Sequence, residues 1–302
     1  MVNSITKKRF KNFMAYSWLK MIIVMFLVCV LLLLGFNYVE RKPSDGQDFK
    51  LIIDEEVLMG DDVKLIFDEL SSDGVENGGF SYEMLKGETI ILRDADGSKN
   101  YNLNSLYCEL YYDDVIVLAE TTYDYYYKND HAVDLPSYVQ DAKNFIISNG
   151  FLNENGEFNT EKVNEYFIKT RGKDSRFRTE AEKEQGKIEE YKRLKAIWEN
   201  ANALEECFSK HPEILDQERS YDYYGLQRSG RYAINLGALK NGTRDIVNLF
   251  SITDYDELGY LNVSANGIYL SVGNNKDENG DLFYEQLTVL VKIIGKYSNF
   301  LD

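Results

Sequence analysis

Asp114 to Ala119 reads Asp-Val-Ile-Val-Leu-Ala, an apolar run in which hydrophobic and polar side chains do not alternate. A strand of that pattern needs both faces covered, and this demands a sheet with layers on either side. The neighbouring segments supply such layers. Phe49 to Ile53 is a second short apolar run, and Glu88 to Leu92 a third. Between them Val57, Leu58, Val63, Ile66, Phe67 and Leu70 fall near helical spacing, and a Ser-, Asp- and Gly-rich loop follows. Tyr101 to Tyr112 reads as a helix leading into the central strand, and Thr121 to Lys128 as the helix leaving it. Pro136, tolerated in a first turn, opens a helix running to Ser148, and Gly150 is placed to stop it. Strand and helix in alternation predict an α/β fold with a largely parallel sheet.

The second half is more helical. Asn153 to Phe158 (NENGEF) predicts a tight turn, with Asn159 or Thr160 capping a helix to about Thr170. A basic break follows over residues 171–178, and Thr179 with Glu182 fits a capping box. From there Ile188, Tyr191, Leu194, Ile197, Trp198, Ala201, Leu204 and Phe208 recur every three or four residues until His211-Pro212. The stripe predicts one amphipathic helix of about 30 residues with its apolar side in the core. Tyr232 to Leu236 and Ile268 to Val272 read as strands, Ile246 to Leu249 is ambiguous, and Leu282 to Ser298 reads as a closing helix.

Met21 to Phe36 carries no charged residue. With Trp18, Leu19, Tyr38 and Val39 the stretch reaches about 22 residues, or roughly 33 Å of helix, and predicts a membrane span. Lys7, Lys8, Arg9, Lys11 and Lys20 precede it, while no acidic residue occurs before Glu40. That bias expects the N-terminus in the cytoplasm and the rest outside the cell membrane. A cleaved signal peptide lacks its small-residue site here, and the residue before Cys29 is Val28, unlike a lipid-attachment signal. The resulting division is a cytoplasmic tail (1–17), a transmembrane signal anchor (18–39), a linker (40–48) and an extracytoplasmic domain (49–302). The chain has 34 basic and 50 acidic residues, so the part beyond the span is strongly acidic. Such a surface argues against nucleic acid or anionic lipid as partner.

Motifs for chemistry are sparse. His131 and His211 have no ligand-spaced neighbours, so no zinc or other metal is expected. Asn275-x-Asp277-x-Asn279-Gly280 begins like a calcium loop, but position twelve is Gln286. Asp94 to Gly97 and Asn153 to Gly156 fail earlier and read as turns. No phosphate loop, dinucleotide motif or nucleophile elbow occurs, so neither an enzyme nor a cofactor is expected. Cys108 and Cys207 can either pair as a disulfide or remain two thiols. Tyrosine stands out, 23 residues against two tryptophans, with clusters at Tyr107, Tyr111 and Tyr112, at Tyr123, Tyr125, Tyr126 and Tyr127, and at Tyr221, Tyr223 and Tyr224. Such rings serve packing or ligand contact.

Residues 101–139 resemble a segment of the extracellular solute-binding proteins of ABC importers. The matching positions are Leu106 and Leu110, Asp114-Val115-Ile116-Val117, Tyr123 to Tyr127, and Asp134-Leu135. A weaker likeness lies in residues 223–236 and 264–275. The resemblance implies a two-lobed, periplasmic-binding-protein-like α/β domain holding a carbohydrate or peptide in its cleft, with a membrane transporter as partner. Ligands of open α/β sheets lie beyond the carboxyl ends of the strands. On that fold the candidate ligand residues are Glu120, Thr121, Thr122 and Tyr123, with Tyr223 and Tyr224 from the later segment, although Thr121 can equally cap a helix. The alternative expectation is a non-enzymatic interaction or accessory domain of a membrane complex that has lost small-molecule binding.

Overall fold

A computed structural model describes residues 20, 22–33, 50–54, 56–73, 88–91, 115–173, 177–255, 261–274 and 284–301. The chain divides into two compact units, Met1–Lys42 and Pro43–Asp302.

In the first unit residues 22–33 are helical, and their large side chains are exposed, Leu31 at 67%. Among the described residues no helix is long and apolar enough to cross a membrane. This overturns the expected span over residues 18–39. A hydrocarbon core of about 30 Å needs about 20 helical residues, and the described run rises only about 18 Å. Trp18, Leu19, Tyr38, Val39 and the linker 40–48 lie outside the described residues.

The second unit carries strands β1 (Lys50–Ile53), β2 (Leu58–Met59), β3 (Glu88–Ile91) and β4 (Val115–Ala119), with helix α1 (Asp62–Asp73) between β2 and β3. Helices α2 (Glu120–Lys128), α3 (Leu135–Ser148), α4 (Thr160–Lys169) and α5 (Glu180–Lys210) follow. Then come β5 (Arg219–Tyr223), β6 (Leu226–Gly230), β7 (Ile234–Asn235), β8 (Phe250–Tyr255), β9 (Leu261–Ser264), β10 (Ile268–Val272) and α6 (Gln286–Tyr297). The expected helix 101–112, Cys108 and the calcium-like loop 275–280 lie outside the described residues.

The main sheet has the order β3-β1-β4-β10-β7. β3, β1 and β4 are parallel, as the strand–helix alternation predicts, but β10 runs antiparallel to β4 and β7 antiparallel to β10. The sheet is therefore mixed rather than largely parallel. The expected two lobes are also absent: Pro43–Asp302 is one compact unit around one large apolar core. A late strand is the physical reason. β10 pairs along the whole of β4, Ile268 opposite Ala119 and Val272 opposite Val115, and so ties the C-terminal region into the first sheet.

β4 lacks alternation because both its faces are buried. Val115, Val117 and Ala119 join the large aliphatic core with Leu270 and Val272, while Leu118 faces a separate cluster with Tyr269. The aliphatic side is closed by helices α1, α3, α5 and α6. In α5 the expected stripe places Leu194, Ile197, Ala201, Leu204 and Phe208 in that core, whereas Ile188 stays exposed. The capping box is formed: Thr179 accepts from Glu182 N at 3.2 Å, and Glu182 accepts from Thr179 N at 2.9 Å. Asn159 caps α4 as predicted. Cys207 is a free, buried thiol whose pKa burial lifts to about 11.

Four charges brace the helical layer. Arg193 Nε and Nη2 donate to Glu190 at 3.1 and 2.7 Å, and its Nη1 donates to Glu285 at 2.7 Å. Arg171 adds a bond to Glu190 at 3.2 Å. Burial opposes ionisation of Glu190, but the two guanidiniums outweigh it and hold the carboxyl well below the usual range.

Candidate functional site

The far face of the sheet from the aliphatic core is built of tyrosine. Tyr123, Tyr126 and Tyr127 come from α2, Tyr221 from β5, Tyr269 from β10, and Tyr232 from the segment before β7. Tyr123 stacks on Tyr269 with centroids 4.4 Å apart, and Tyr127 stacks on Tyr232 at 5.6 Å. Tyr221 meets Tyr127 and Tyr232 edge-on at 5.6 and 5.7 Å. Arg219 caps the cluster, its guanidinium 5.6 Å from the Tyr123 centroid and forked onto Asp216 at 2.8 and 3.2 Å. The Tyr123 hydroxyl and Ser271 Oγ are buried here without a hydrogen-bond partner. Burial, and then the nearby Asp216 carboxylate, push the Tyr123 phenol far above its usual pKa.

The six residues expected to hold a ligand are not gathered. Glu120 opens α2 directly after β4, exposed, with its N–H bonded to Gly267 O at 2.9 Å. Thr121 is a residue of the same helix, and Thr122 and Tyr123 are buried. The carboxyl end of β4 is thus occupied by the chain itself. Tyr223 packs against the tyrosine cluster. Tyr224, 90% exposed, sits at the tip of the β5–β6 hairpin. At that tip Tyr224 has φ 50° and Gly225 φ 82°, the left-handed pair that a two-residue hairpin turn requires.

What the cluster does create is a cleft of about 320 Å³ beside it. One wall is the turn after α2 and the start of α3, contributing Asp130, Asp134, Ser137 and Asp141. The facing wall is the hairpin, with Tyr221, Arg228 and Ser229, and Asn274 stands after β10. Local chemistry holds these walls. Asp134 caps α3, accepting from Ser137 N at 3.1 Å, and reaches across to Arg231 N at 2.7 Å. Tyr221 donates its hydroxyl proton to Asp130 Oδ1 at 3.1 Å, and Asn274 Nδ2 donates to the Asp130 carbonyl at 3.1 Å. Asp130 itself adopts φ 61°, which Asp tolerates better than most residues.

Two side chains of the lining are left open. Asp141 makes no hydrogen bond or ion pair among the described residues, and desolvation alone lifts its pKa above the ordinary carboxyl value. Arg228, exposed on β6, likewise has no carboxylate partner among the described residues. The rest of the lining is the bonded carboxylates of Asp130 and Asp134, the apolar Ala132 and Val133, and amide, hydroxyl and ring-edge groups that can hydrogen-bond a small polar molecule. Among the described residues no group of three or more His, Cys, Asp or Glu side chains can hold a metal ion.

Sequence reasoning reached the tyrosines and missed Asp130, Asp141, Arg228 and Asn274. The only local signal was the Lys-Asn-Asp-His turn after α2, since the other residues meet only through the sheet and hairpin. Searches against protein-family models, characterised proteins and solved structures find nothing that matches this chain.

Proposed function

We propose that Pro43–Asp302 is a non-enzymatic binding module for a small polar solute of the carbohydrate or peptide class, held in the cleft between the α2–α3 turn and the β5–β6 hairpin. The observation that carries this reading is the cleft itself. Its volume of about 320 Å³ falls at the small end of ligand pockets, which run to about 1,000 Å³. Its polar groups converge from three separate chain segments, and a rigid aromatic cluster backs it. The ligand class matches the resemblance to solute-binding proteins. The two-lobed trap of those proteins has no counterpart, so closure of two lobes plays no part.

A thermal-shift screen of the full chain against sugars, oligosaccharides and short peptides tests it. A ligand specific for the native state, present at about 100 times its dissociation constant, adds about 2.7 kcal/mol and raises the melting temperature. The shift disappears in Asp141→Asn or Arg228→Gln. A cooperative transition that no compound moves contradicts the reading.

One surface favours the alternative of an interaction domain. Leu58, Met59, Leu261 and Val263 are each about half exposed on the small sheet β2-β8-β9. Exposed apolar residues on a sheet mark a place for a protein partner. If that role dominates, Val263→Lys abolishes capture of the partner while the cleft variants leave it unchanged.

A further inference from the structure

The cleft holds opposite charges that do not meet. Asp141 stands on its helical wall and Arg228 on its hairpin wall, and no ion pair joins them or joins either to another described residue. The other two carboxylates are committed to the fold. Asp134 caps α3 and binds Arg231 N, while Asp130 accepts from Tyr221. An open carboxylate and an open guanidinium across one cavity call for a ligand with a positive group at one end and a negative group at the other. We infer that the cleft takes a small zwitterion, a free amino acid or dipeptide, with its ammonium at Asp141 and its carboxylate at Arg228.

The charge balance of the lining supports this choice over its neighbours. An anion alone would meet Arg228 but face Asp130, Asp134 and Asp141. A cation alone would leave Arg228 opposing it. A neutral sugar would leave both charges open, each without the ionised partner that gives charge-assisted hydrogen bonds their strength. Arg228 presents a planar fork suited to a carboxylate, and Asp141 accepts from an ammonium in several directions. Asn274 and Ser137 also line the cleft; Asn274 Nδ2 donates to the Asp130 carbonyl and the Ser137 hydroxyl to Asp134, which leaves Asn274 Oδ1 as an acceptor for the N–H of a dipeptide amide. This inference rests on the cleft being a solute site, so its test must separate the two claims.

Isothermal titration of the full chain with dialanine, alanine amide, N-acetylalanine and glucose does so. Dialanine is expected to bind, and each single-charge analogue to bind at least about tenfold more weakly, a loss of about 1.4 kcal/mol. Asp141→Asn is expected to weaken dialanine and alanine amide but not N-acetylalanine, and Arg228→Gln to weaken dialanine and N-acetylalanine but not alanine amide. Both side chains are exposed, so melting temperatures at or slightly above wild type are expected for the unliganded variants and confirm that they fold. Glucose binding with no dialanine binding overturns the zwitterion while the solute site stands. Binding by none of the four overturns the zwitterion, and the solute-site reading falls with it only when the wider screen of sugars, oligosaccharides and short peptides also moves nothing. Dialanine binding that neither variant weakens overturns the charge assignment.

Discussion

Pro43–Asp302 treats charge in two opposite ways. Under the sheet, Arg193, Glu190, Glu285 and Arg171 are almost sealed from water, and each answers another. In the cleft, Asp141 and Arg228 face the same space and answer nothing among the described residues. Charge that is buried has to be paired, because desolvation of a lone ion costs several kcal/mol. Charge at the cleft has water to relieve it and can stay open. The first set is therefore fixed by folding, whereas the second is left free to meet a solute.

The widest expected gap is in stability. Arg193→Met leaves Glu190 and Glu285 buried with only Arg171 near them, and a loss of about 3–5 kcal/mol in chemical denaturation is expected. Replacing both partners together, Glu190→Leu with Arg193→Met, is expected to recover part of that loss. A single variant that melts like wild type would mean that the buried network does not support the helical layer.

Tyr123 extends the contrast to the aromatic side. It is fully buried and stacked on Tyr269, so Tyr123→Ala is expected to cost about 3–5 kcal/mol whether or not a ligand exists. Tyr123→Phe removes only a buried hydroxyl that lies beside the Asp216 carboxylate without a well-formed hydrogen bond. It is expected to be neutral or mildly stabilising by thermal melting.

Acid resolves the network from the cleft. The Glu190 carboxyl is depressed in the folded state, so the stabilisation it gives is whole above the unfolded value of about 4.3. Below that pH the unfolded chain takes up the proton first, and stability falls until the folded carboxyl follows. The expected slope is about 1.4 kcal/mol per pH unit from this group, and it should vanish in Glu190→Gln. Asp141 has the opposite sign. Its folded pKa is raised, so protonation favours the folded state, and Asp141→Asn should stabilise very slightly at neutral pH, by less than about 0.5 kcal/mol in urea melts.

Much of this was legible in the chain itself. The central strand, the capping box at Thr179 and Glu182, the Asn159 cap and the long helix are local patterns, and each formed where its residues predicted. The mixed sheet was not legible, because pairing of β10 with β4 joins segments about 150 residues apart in sequence. The β5–β6 hairpin escaped for a chemical reason. Its turn is Tyr224-Gly225, where Asn-Gly would have announced it, and its second strand, Leu226–Gly230, lacks alternation. The cleft depends on that hairpin, so its residues escaped with it. The aromatic helix α2 was legible, but which of its side chains pack inward was not: Thr122 and Tyr123 are buried, Tyr123 within the tyrosine cluster. The expected membrane span rests on apolar composition, and among the described residues no helix is long and apolar enough to cross a membrane.

Hydrogen–deuterium exchange of the full chain, with and without saturating dialanine, decides whether the open charges of the cleft serve a ligand. Slower exchange is predicted on both walls of the cleft, over residues 130–141 and 226–232, with little change in α5 or in β2-β8-β9. Protection confined to β8 and β9, or no protection anywhere, would contradict it.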